Sequence, residues 1–83
     1  MSTDVYDDTM KRFDSARLQQ LRIARGWTQM QTICRLWKAT GLSVSPSTFS
    51  RWESGQRTPW SNSLAGLAEV FGLDPGAFFV EKA

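Results

Sequence analysis

Histidine is absent from the 83-residue chain, and Cys34 is its only cysteine. Within one chain this excludes a disulfide framework, a Cys/His zinc site and histidine-based acid–base or nucleophilic chemistry. Paired carboxylates on a common helical face and glycine-rich phosphate loops are missing too, so no active site is read and no metal or cofactor is expected. No apolar run approaches the roughly 18 residues of a membrane span. The opening MSTDVYDDTMKRF is acidic where a secretory signal is basic and then apolar. A cytoplasmic protein is the expectation.

What is present suits one small domain. A hydrophobic content of 41% with ten aromatic residues fills a single core and leaves nothing for a second. The net charge is only +2, yet it is unevenly spread: −3 over residues 1–10, +7 over residues 11–60 and −2 over residues 61–83. A basic middle between acidic ends is the footprint of a surface that meets a polyanion, and also of a solubilising charge distribution.

Residues 1–13 show little periodicity and read as a flexible acidic tail, which leaves residues 14–83 as the domain. Within it, DSARLQQLRIARG is a helix capped by Asp14 or Ser15, with Leu18 and Leu21 facing inward and Gly26 as its stop. Arg22 falls on that inner face. A partly buried cation needs an acidic partner, and the middle of the chain offers chiefly Glu53. TQMQ opens a second helix, with Thr28 and Gln31 as a capping box, an inner stripe of Met30, Ile33, Cys34 and Trp37, and Gly41 as its end. Cys34 is accordingly expected as a small buried thiol.

SVSPSTFSRWESG gives the third helix: Ser45 caps it, Pro46 takes the first position, Gly55 stops it, and Val44 with Phe49 has the spacing of a hydrophobic staple. Phe49, Trp52, Ser45 and Thr48 share one face. Ser47, Ser50, Arg51 and Ser54 share the other. Short hydroxyls around one long planar cation suit close approach to a flat or grooved partner, although an ordinary solvated face has the same composition. QRTPWSN reads as a loop, Ser61 or Ser63 caps a fourth helix carrying Leu64, Leu67, Ala68 and Phe71, and Gly72 ends it. Asp74 and Pro75 begin a short fifth helix with Ala77, Phe78 and Phe79 toward the core. The expected fold is all-α, five helices and no strand. Phe78, Phe79 and Val80 read either as a dimer patch or as the lid of the core, and Trp60 as a loop residue packed on its own domain or, second to that, as a further part of the dimer patch.

In order, LRIARGWTQ, VSPSTFSRWESGQRTP and LAGLAEVFGLDPGAFF resemble the lambda-repressor and Cro type of helix-turn-helix, the xenobiotic-response-element family, over about residues 15–80. The stretch TQMQTICRLWKATGLSVS is longer than the family pattern, which implies a lengthened second helix or turn and is similar to actinobacterial EspR-like nucleoid regulators. The resemblance implies a double-stranded DNA-binding transcription regulator, a dimeric repressor that reads the major groove with the third helix. By position it implies base reading by Ser47, Ser50 and Arg51. It assigns backbone contacts to Gln29, Ser45, Ser54, Gly55, Gln56 and Arg57, with Lys38 as a further basic contact, and an internal ion pair to Arg22 and Glu53. A protein-interaction adaptor of the same fold and a broadly binding architectural protein are the alternatives.

Overall fold

The computed structural model describes residues 11–81. Residues 1–10 of the expected tail lie outside the described residues. Lys11–Phe13 form a strand, β1, rather than tail, and are followed by α1 (Ser15–Ala24), α2 (Gln29–Thr40), α3 (Pro46–Ser54) and α4 (Ser61–Phe71). A single 3-10 turn (Pro75–Phe78) leads into β2 (Phe79–Glu81).

Local signals start and stop the helices. Asp14 caps α1 by accepting from the Arg17 N–H at 3.1 Å. Thr28 and Gln31 form the full reciprocal capping box of α2. Ser45 Oγ accepts from the Thr48 N–H at 3.2 Å, with Pro46 at the first helical position of α3. Gly41 and Gly55 end α2 and α3 in the left-handed region, at φ 78° and 83°, where a side chain would clash with its own backbone. α4 departs from expectation: Trp60, not Ser61 or Ser63, is the N-cap residue, and no side chain closes that end.

The five-helix, strand-free expectation is corrected at both ends of the domain. Asp74–Pro75 does start a turn, but four residues support only 3-10 geometry before the chain extends into β2. β2 pairs antiparallel with β1 in the register Arg12↔Val80 and Phe13↔Phe79. The Asp14 N–H donates to the Phe78 carbonyl at 2.7 Å and continues the tie into α1. Phe13 lies 6.2 Å from Phe78 and 6.4 Å from Phe79, so the ribbon closes the aromatic end of the core. Phe78 is fully buried and belongs to that core, whereas Phe79 and Val80 are half-buried.

The core gathers Leu18, Ile33, Leu36, Phe49, Trp52, Leu64, Leu67, Phe71 and Phe78 from every helix and the turn. Full burial of each such side chain contributes about 1.5–3 kcal/mol. Of the expected inner stripe of α2 only Ile33 is buried; Thr32 and Leu36 join it on the inward face, while Met30 (51%), Trp37 (58%) and Cys34 are exposed. The physical reason lies in two threonines. Thr32 and Thr40 donate their hydroxyls to the carbonyls of Thr28 and Leu36, at 3.0 and 2.7 Å, which satisfies the polar groups on the inward side. Gly66 of α4 completes that contact, since a Cβ there would meet Leu36 Cδ1 at 2.8 Å and Thr40 Cγ2 at 3.2 Å.

Candidate nucleic-acid interface

α3 is held from beneath by its apolar and acidic residues. Phe49 and Trp52 are almost completely buried, their rings 5.8 Å apart, and Val44 packs against the same cluster just before the cap. Glu53, 7% exposed, lies beside them and is fully engaged. Arg22 donates to it through Nε at 2.6 Å and Nη2 at 3.1 Å, and Gln29 donates through Nε2 at 2.9 Å. Arg22 Nη1 also reaches the Trp27 carbonyl at 2.8 Å. The buried carboxylate thus ties α1 and the first residue of α2 to α3, and Arg22 carries the tie on to the loop before α2. A planar guanidinium fork suits this task because both its bonds to the carboxylate fix direction as well as distance.

Anchoring on that side leaves the opposite side free. Ser47, Ser50, Arg51 and Ser54 of α3 are all exposed. Among the described residues, no side chain pairs with the Arg51 or Arg57 guanidinium or with the Lys38 ammonium. At the end of α3 the Arg51 carbonyl accepts from the Gln56 N–H at 2.9 Å and the Arg57 N–H at 3.2 Å, folding Gly55, Gln56 and Arg57 tightly back on the helix. Ser54 Oγ donates to the same carbonyl at 3.2 Å. Gly55 backs onto Ser15, whose Oγ would lie 3.3 Å from an added Cβ.

The connection between α2 and α3 is long. α2 runs for 12 residues, and Gly41–Ser45 separate it from α3, against the three or four residues of a usual helix-turn-helix turn. Thr40 Oγ1 accepts from the Leu42 N–H at 3.2 Å, and Leu42 and Val44 pack on the core, so the extra length is fixed in place.

Two of the backbone-contact positions share a cleft. Ser45 and Arg57 line one cleft of about 180 Å³ together with Thr58, Trp60 and Asn62. Ser43 and Val44 join that cleft to a shallower depression reached by Lys38. Gln29 stands apart, because its side-chain amide is spent on Glu53; its backbone N–H, in the first turn of α2, has no intrahelical acceptor. Thr58 and Asn62 are not singled out by the sequence, and Trp60 is read there without any part in this cleft. Trp60 is 72% exposed rather than packed into its own domain. The polar loop QRTPWSN was their only signal. The cleft has the N-terminal ends of α3 and α4 on its rim with Arg57 beside them, an arrangement that accommodates an anionic oxygen.

Two successive helices joined by an ordered connection, the second anchored inward and presenting small residues and an arginine outward, define a helix-turn-helix unit. The family model described as a helix-turn-helix domain matches residues 15–77, and the chain belongs to that family, a class of DNA-binding domain. No curated protein matches the chain. Among the described residues no helix is long and apolar enough to cross a membrane.

Proposed function

We propose that this protein is a sequence-specific transcription regulator that binds double-stranded DNA as a homodimer and acts as a repressor of the lambda-repressor and Cro type in the bacterial cytoplasm. The carrying observation is the two-sided character of α3: Phe49, Trp52 and Glu53 buried, Ser47, Ser50, Arg51 and Ser54 exposed. In this reading α3 enters the major groove, where Arg51 donates both guanidinium bonds to a guanine edge and the serines let the backbone approach. Ser45, Ser54, Gly55, Gln56, Arg57 and Lys38 meet phosphates on either side, and the Gln29 N–H meets one at the start of α2. Base contacts then supply choice and phosphate contacts affinity.

One such unit reads few base pairs, so selectivity within a genome calls for two copies on half-sites about 34 Å apart. Titrating a duplex with the protein at several salt concentrations tests the reading. Affinity that falls steeply with salt and differs between a selected and a scrambled duplex supports it. Equal affinity for both duplexes points to an architectural protein, and no binding at all to an adaptor.

A further inference from the structure

The N-terminal end of α4 lacks what the preceding helices have. α1, α2 and α3 each close their first turn with a capping side chain, whereas Trp60 offers none to α4. The first-turn N–H groups there are left without a side-chain acceptor. Asn62 and Ser63 of that turn line the cleft of about 180 Å³ that also holds Arg57.

A helix end alone attracts an anion too weakly to define a site, but a second feature points the same way. Ser63 is 5% exposed, and its hydroxyl bonds to no other described residue. Every fully enclosed side-chain oxygen or nitrogen among the described residues has a partner, so this hydroxyl opens onto the cleft it lines. A donor is held ready inside the cleft, beside a cation.

The rest of the lining is apolar. Leu42, Val44 and the buried Trp52 contribute aliphatic and aromatic surface, and the exposed indole of Trp60 adds a flat one. A phosphate oxygen uses only the polar half of such a cleft. An anion with a planar apolar body uses both halves, since ligand sites combine an apolar lining with a few orienting polar groups. The volume equals the share of about six water molecules and falls below the roughly 300 Å³ at which pockets for drug-sized ligands begin. One ring with one carboxylate fits it.

We propose that this cleft binds a small aromatic carboxylate, which caps α4 through Ser63 and the first-turn N–H groups, pairs with Arg57, and lays its ring against Trp60 and Val44. A second consequence rests on the DNA reading above: because Arg57 and Ser45 line the same cleft, the bound acid and the DNA backbone exclude each other, and the acid releases the protein from its duplex.

Benzoate is the probe, followed through the indole N–H resonances of the four tryptophans in ¹H–¹⁵N spectra of the full chain, with Trp60 assigned from Trp60→Phe. Saturable shifts at Trp52 and Trp60 are expected, with Trp27 and Trp37 unmoved. Acetate lacks the ring and benzyl alcohol the charge, and each should bind the parent chain about tenfold more weakly. Ser63→Ala is expected to weaken benzoate about threefold and Arg57→Ala about fivefold. Shifts that never saturate, that spread equally over all four indoles, or that persist unchanged in both variants overturn the site. At constant ionic strength, benzoate at ten times its Kd should weaken duplex binding about tenfold. Duplex affinity unmoved by saturating benzoate overturns the competition. A chain that binds no duplex overturns the DNA reading and the competition with it, while the site is still decided by the resonances.

Discussion

Arg22 and Glu53 stand 31 positions apart and meet at two points, 2.6 and 3.1 Å, with side chains only 13% and 3% exposed. The contact joins α1 to the helix whose far side carries Arg51. Truncating Glu53 to alanine leaves a nearly buried guanidinium without its carboxylate, and the expected loss of stability is about 3–5 kcal/mol in urea unfolding. An Arg22→Met/Glu53→Met double variant should lose less than either Arg22→Met or Glu53→Met alone. Additive losses would mean that the pair is not the unit described.

The need for this pair was legible before the fold was known: a cation on the inner face of α1 demands an acid, and the middle of the chain has few. Caps were equally legible, because Thr28 with Gln31 and Ser45 with Pro46 act within four residues. The inward face of α2 was legible only at Ile33. Met30 and Trp37 carry more apolar weight than Thr32 and Thr40, but each threonine loses its polarity to a carbonyl one turn back and Gly66 opens room beside it. The β ribbon escaped for another reason. Strands of three residues show no period of their own, and their pairing spans the whole domain.

The close approach at Gly66 makes a second prediction. Alanine there gains up to about 1 kcal/mol of helix propensity, but its Cβ meets three buried or half-buried side chains at 2.8–3.3 Å. Overpacking costs about 1–3 kcal/mol. Gly66→Ala is therefore expected to lower stability by about 1 kcal/mol, and Gly66→Val by more, as read from denaturation midpoints. A stabilised Gly66→Ala protein would show that Leu36 moves aside freely.

Removing the anchor beneath α3 should be severe. Phe49 is fully buried among the helices, and Phe49→Ala is expected to cost about 3–5 kcal/mol. Loss of the Ser45 cap is milder, about 1 kcal/mol for Ser45→Ala. Thermal unfolding of the two variants should rank them in that order.

Arg57 and Lys38 test the division of labour on the outer surface. Arg57→Ala or Lys38→Ala should weaken binding to all duplexes alike and reduce the slope of log affinity against log salt by about 1 each. A change of sequence preference in either variant would contradict their assignment to the backbone.

The most direct test of the central claim is selection of bound duplexes from a random DNA pool by the parent chain and by Arg51→Ala at physiological salt. The account predicts a palindromic motif of two half-sites from the parent, and from the variant the same motif with preference relaxed at one base pair per half-site, a loss of about 1–3 kcal/mol there. An unchanged motif from the Arg51→Ala protein, or no enrichment from the parent, would contradict base reading by α3.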